Sequence, residues 1–267
     1  IIIQVGGFFM PANYAHYQFG NLVLKKINND KIVSIIENNR GYYNIGLQGP
    51  DILFFYHPLK SNFVNELGNQ MHQNIARDFF EKALEIIDSD EAKLAYIFGF
   101  INHYILDSEC HSYIEKVVEH KEVSHYAIER DLDFNLINRY HDQLNYRVAR
   151  NMLINHQSAK TIAPFFNLVP DTILTALKSF RRFTGLFACK NKIKRQILIK
   201  GMQLVKANTY SDMVMQDKVD DRIIDDINFL LNLFDQATNI AAKEIIGYYD
   251  SLINKTKISD RFNYNYE

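Results

Sequence analysis

Between residues 103 and 129 the chain reads HYILDSECHSYIEKVVEHKEVSHYAIE, and five side chains in that run can bind a metal ion at helical spacing. His103, Asp107 and His111 lie four apart, and His125 and Glu129 lie four apart again. Residues at i and i+4 project from one side of a helix, so each adjacent pair can converge on a shared atom. At a rise of about 1.5 Å per residue, His103 and His111 sit roughly 12 Å apart along the axis. A zinc–nitrogen bond measures only about 2.0–2.1 Å, so these two imidazoles are expected at different ions. Asp107 stands between them with two oxygens and could bridge. The spacing predicts a multinuclear metal site rather than one structural zinc.

Three further candidates lie upstream: His16 in PANYAHYQFG, Asp51 in GLQGPDILFFYHP and His72 in GNQMHQNIARDFF. His57 is the alternative to His72. His72 is preferred because Leu67, Met71 and Ile75 around it suit a helix, whereas His57 precedes Pro58. Zinc takes three or four protein ligands, so eight would serve two or three ions. The imidazole and carboxylate mixture suits catalytic zinc better than a closed Cys-rich site. Cys110 points about 100° away from its neighbour His111 and reads as a small buried residue. His120, His141 and His156 fall outside the series and read as surface residues.

These ligands need helices to carry them. Leu94, Ile97, Phe98, Ile101, Ile105 and Leu106 keep a period near 3.6 over residues 91–118. Further helical patterns run over 16–28, 63–87, 122–154, 171–187, 191–207 and 220–254, and strand alternation is scarce. Only four of the eleven glycines lie beyond residue 68, and three of the five prolines lie before residue 60. Loops and short helices are therefore expected first and long helices after. The expectation is an all-α fold: a single multi-helix domain over 10–255, an N-terminal leader over 1–9 and a C-terminal tail over 256–267.

The chain's 267 residues can bury a sizeable core. Its net charge of −1 gives no reason to expect nucleic acid, but the charge is uneven. From Thr172 to Ser211 there are nine bases and no acid. Phe180, Phe183 and Phe187 are interleaved there with Arg181 and Arg182, which suits either a core stripe or a helix meeting anionic lipid; the core stripe is preferred. Two cysteines imply no disulfide framework. The apolar start lacks a basic n-region and a cleavage site, so no signal peptide is expected and a cytoplasmic location is favoured. No stretch predicts a transmembrane span.

The AHYQFG start, the GPD triplet, the H-x3-D of His103 and Asp107, the following His111 and the H-x3-E of His125 and Glu129 together resemble the zinc-dependent phospholipase C family. A more distant resemblance is to trinuclear-zinc nucleases of the same fold, whose series typically ends in H-x3-D. Glu129 tilts the match to the phospholipase side. The resemblance implies an all-helical domain with three zinc ions at the bottom of a cleft. It assigns Asp51, His72, His103 and Asp107 to one ion, and His111, His125 and Glu129 to a second. His16 and the second oxygen of Asp107 would hold a third. In the family an N-terminal tryptophan completes that third site, and this chain has no tryptophan. A start at Met10, followed by its removal, would expose Pro11 five residues before His16.

The activity implied is hydrolysis of a phosphodiester, releasing a phosphorylated head group through zinc-activated water, with Asp51 as candidate general base. Phe54, Phe55 and Tyr56 would either line the cleft against a choline head group or pack in the core. The substrate would be a phospholipid or a smaller phosphodiester, with peripheral membrane contact through 172–211. The rival readings are a nuclease of the same fold and a non-catalytic helical metal-binding protein.

Overall fold

The computed structural model describes residues 12–142, 147–189, 191–204 and 208–266. The expected leader, with Met10 and Pro11, lies outside the described residues. Among those described, every regular element is helical: α1 Asn13–Leu24, α2 Asp30–Asn38, α3 Arg40–Gly46, α4 Phe63–Gln73, α5 Arg77–Ile87 and α6 Glu91–Lys121. Then follow α7 His125–Arg139, α8 His156–Phe166, α9 Pro170–Phe187, α10 Lys192–Leu204, α11 Asn208–Ser211 and α12 Ile224–Asn254. A 3-10 helix covers Gly49–Phe55 and carries the GPD triplet.

The axis of the molecule is α6. Asp90 caps its start by accepting from the amides of Ala92 and Lys93, and its 31 residues span about 46 Å. From Leu94 to Asp107 every residue is buried, so this stretch is enclosed on all sides rather than amphipathic. It packs against α1, α2, α3, α5, α7, α8 and α12. The closest of these contacts is with α3. A Cβ on Gly46 would stand 2.0 Å from the Tyr96 carbonyl oxygen, and one on Gly99 would stand 2.2 Å from that of Tyr43. Two glycines facing each other let the backbones meet, and this brings the following 3-10 helix against the polar turns of α6.

Three helical expectations change. The pattern over 63–87 divides, because Asn74 is extended (φ −82°, ψ 155°) and the amide of Ala76 donates to the Tyr264 carbonyl instead of continuing the helix. The pattern over 122–154 stops at Arg139, where left-handed His141 (φ 50°) closes the turn. α8, for which no helix was expected, begins at Asn155 with a reciprocal capping box to Ser158.

The 256–266 segment packs down: Ile258, Phe262 and Tyr266 are buried in the core. Phe180 and Phe187 are buried too, the core side of the two readings for α9, and Phe183 is half-buried. No helix among the described residues is long and apolar enough to cross a membrane.

Candidate metal centre

Four helices and the 3-10 turn converge at one point. α1 brings His16, the 3-10 turn Asp51, α4 His72, α6 His103, Asp107 and His111, and α7 His125 and Glu129. His57 ends up exposed in a bend with φ 44°, so of the two alternatives it is His72 that faces Asp51, at 3.1 Å. His120, His141 and His156 are exposed, as expected. Cys110 is buried, and burial pushes its thiol upward in pKa.

Asp107 lies at the middle. Its Oδ2 is 2.9 Å from His103 Nε2 and 3.9 Å from His72 Nε2, while its Oδ1 is 3.2 Å from His16 Nε2 and 3.6 Å from His111 Nε2. The two oxygens thus face different sets of imidazoles. Three groups have donor atoms within 4.8 Å of one another: His16, His103 and Asp107; Asp51, His72 and His103; and His111, His125 and Glu129. His125 Nε2 is 3.2 Å from Glu129 Oε1, with His111 Nε2 at 3.7 Å from the same oxygen.

The donors fit a metal better than they fit each other. Asp51 Oδ1, His72 Nε2, His103 Nε2, Asp107 Oδ2, His125 Nε2 and Glu129 Oε2 are buried without a hydrogen-bond partner, although several lie within 4 Å of one another. Buried polar atoms are ordinarily satisfied, so such a cluster needs a cause. Ligands of a tetrahedral ion with bonds of about 2.05 Å stand about 3.3 Å apart, and the separations here bracket that value.

Two of the outward nitrogens are already fixed. His72 Nδ1 bonds the Gly68 carbonyl at 2.8 Å, and His125 Nδ1 bonds Glu115 Oε1 at 2.7 Å, leaving both Nε2 atoms turned inward. Gly49, at φ +49°, backs His103 so closely that a Cβ there would lie 2.1 Å from the ring. The glycine of the GPD triplet therefore makes room for an imidazole.

Proton affinities reflect the same crowding. Burial lowers His72, but Asp51 beside it outweighs this and raises it to about 9. Burial likewise opposes His125, which Glu129 and Glu115 lift to about 10. Glu129 resists burial and is drawn down to about 2 by His125 and His111. His103, enclosed most deeply, is lowered by burial. Asp107 is held well below the usual carboxylate range, against burial, by His103, His111 and His16.

Three residues near the centre were not among the expected site residues, although Glu115 and Asp133 continue the four-residue spacing of His111 and of Glu129. Glu115 orients His125 from α6. Asp133 lies one turn beyond Glu129 on α7; it accepts from the amides of Tyr14 and Ala15, and burial pushes it up to about 8. Tyr266 packs its ring 5.2 Å from that of His72 and 6.1 Å from that of His103, and its amide donates to the His72 carbonyl at 3.2 Å. Each owes its position to tertiary packing. Of the two readings for the aromatics after Asp51, Phe54 and Phe55 take the core one: both are fully buried, Phe54 stacking on His72 at 5.5 Å, and Tyr56 is half-buried.

The family model described as zinc dependent phospholipase C matches residues 15–180. All eight converging residues fall inside that span. No curated protein and no solved structure matches the chain. The match covers more than half of the sequence and coincides with a buried, unsatisfied His and carboxylate cluster, and the chain belongs to the zinc-dependent phospholipase C family.

Proposed function

We propose that this protein hydrolyses the phosphodiester of a phospholipid, releasing a phosphorylated head group, with two to three zinc ions held by the eight converging residues. The observation carrying the reading is Asp107: its Oδ2 faces His103 and His72, whose Nε2 atoms have no hydrogen-bond partner, while its Oδ1 faces the separate pair His16 and His111. Asp51, His72, His103 and Oδ2 of Asp107 would hold one ion, and His111, His125 and Glu129 a second. His16 with Oδ1 of Asp107 would hold the third. Zinc, when bound, supplies Lewis acidity that neutralises charge on phosphate oxygens and lowers the pKa of water toward 7. Asp51 is the candidate base that orients and deprotonates the attacking water. The surrounding helices keep the ligands at 8% exposure or less, His125 excepted, so charge on a bound phosphate is little diluted by solvent.

Lipid would be met through α10 rather than through the phenylalanines of α9. Ile193, Ile197 and Leu204 are 70%, 66% and 86% exposed, and their spacing of four and eleven puts them on one stripe. Lys194 and Lys200 are exposed on the same helix, within the acid-free segment, as suits an interfacial helix on anionic lipid.

The experiment assays the chain, with its zinc content measured, on four substrates with and without chelator. These are short-chain phosphatidylcholine, phosphatidylserine-containing vesicles of phosphatidylcholine, bis-p-nitrophenyl phosphate and single-stranded DNA. Chelator-sensitive release of phosphocholine is expected, and Ile197→Asp should slow hydrolysis of vesicles while sparing the short-chain lipid. A chain that binds no zinc, or that cleaves DNA alone, overturns the phospholipase reading.

A further inference from the structure

α1 is exceptional among the ligand-bearing helices in how it begins. α4, α6 and α7 are capped by Asn62, Asp90 and Ser124 from the preceding residue, but Ala12 at the start of α1 offers no side-chain acceptor. The acceptor comes instead from α7. Asp133 Oδ1 takes the Ala15 amide at 2.7 Å and Oδ2 takes the Tyr14 amide at 3.1 Å. These are the amides a cap residue would satisfy. The next residue after Ala15 is His16. On α7, Asp133 continues the four-residue spacing of His125 and Glu129, so one stripe of that helix carries two ligands and the grip on α1. Asp133 itself is buried, with no other helix start in its reach among the hydrogen bonds described.

We propose that Asp133 is a positioning residue for the metal centre. It clamps α1 to α7 so that His16 is held at Asp107 Oδ1 in fixed relation to the His111, His125 and Glu129 group. This inference rests on His16 being a ligand, as proposed above. Through Asp133, α7 sets the geometry of two ion positions at once, one with its own side chains and one by holding the start of a helix from more than a hundred residues earlier.

The test is a double-mutant cycle on the full chain, read by zinc competition against a chromophoric chelator, with thermal unfolding followed separately. His16→Ala should weaken one class of ion. Asp133→Asn, which turns one of the two acceptors into an N–H donor facing a backbone N–H, should weaken the same class by roughly 2- to 30-fold, the scale of losing a helix cap to alanine. In the His16→Ala background the Asp133→Asn change should add nothing, because its effect passes through His16. Asp133→Glu, which keeps both acceptors, should recover part of the affinity and remains informative if Asp133→Asn folds poorly. Zinc affinities unchanged in Asp133→Asn, or losses that add in the double variant, would overturn the proposal and leave Asp133 a plain helix cap. If His16→Ala itself changes no ion affinity, the ligand assignment of His16 fails instead.

Discussion

His103 and Asp107 sit at 0% and 2% exposure in the enclosed turns of α6, whereas His125 leaves 14% of its side chain to solvent and leans on Glu115, itself 54% exposed. Both regions gather imidazole and carboxylate, but they are held differently. The inner one is shaped by the core: Gly49 leaves room for the His103 ring, Phe54 and Tyr266 pack on His72, and Gly46 and Gly99 bring the helices together. The outer one, at the start of α7, depends on a surface carboxylate that solvent and salt can compete for. A core-built site stays pre-formed without its ion, and a surface-braced site is the one whose occupancy answers to conditions.

The largest effect should come from removing the residue that two ion positions of the inner region share. Asp107→Ala is expected to abolish hydrolysis and to lower the zinc content there, since His103 is 2.9 Å and His16 3.2 Å from its oxygens, while the His111, His125 and Glu129 group keeps its own donors. Metal analysis together with circular dichroism checks this, and full zinc content in a folded variant would refute a bridging carboxylate. A smaller loss, confined to the outer region, is expected for Glu115→Ala. Freeing His125 Nδ1 should cost about 10- to 100-fold in affinity for one class of ion and leave the others unchanged. Equal losses at every ion would erase the distinction between the regions.

The smallest effect is one of pH on the metal-free chain. His72 at about 9 and His125 at about 10 lie above the ordinary 6.5, so their contribution is complete below 6.5 and lost as pH rises through 9 to 10. Glu129 at about 2 lies below its ordinary 4.5, so its contribution is complete above 4.5 and lost as pH falls toward 2. The contribution of these three groups to the melting temperature of the metal-free chain should therefore be greatest between about pH 4.5 and 6.5, and Asp133, raised to about 8, adds a decline as pH rises above its ordinary 3.8. With zinc bound the alkaline decline of the two histidines should vanish, because ligands bind metal deprotonated. An alkaline decline identical with and without zinc would contradict the site as drawn.

The sequence made the helix-borne candidate ligands legible because helical spacing is a local property. His103, Asp107 and His111 could be read at four-residue intervals, and α6 does carry them side by side. The rest of the centre is assembled across distance. Glu115 reaches His125 from another helix, Asp133 grips an element that ended long before it, and Tyr266 arrives from the far segment 256–266; four-residue spacing puts Glu115 and Asp133 on the right helix faces but does not say what they meet. The same limit applies to the elements. The pattern over 63–87 looked continuous because no glycine or proline marks Asn74–Ala76, and the break depends on the Tyr264 carbonyl. α8 was missed although its cap residues Asn155 and Ser158 are local, because the stretch before it read as an extension of α7.

The seating of Tyr266 against His72 and His103 has a consequence for how the protein is made. During synthesis, His16 emerges first and Tyr266 follows 250 residues later. At roughly 5–20 residues per second that interval is about 12–50 s. Throughout it, emerging histidines and carboxylates meet cellular metal ions before their full set of neighbours exists. Tyr266 docks on the His72 and His103 rings and bonds the backbone of His72, so its arrival closes the cluster from behind. Loading with the correct ions is thereby tied to synthesis of the 256–266 segment, and a ribosome-bound fragment ending before it should hold zinc loosely and exchange it freely.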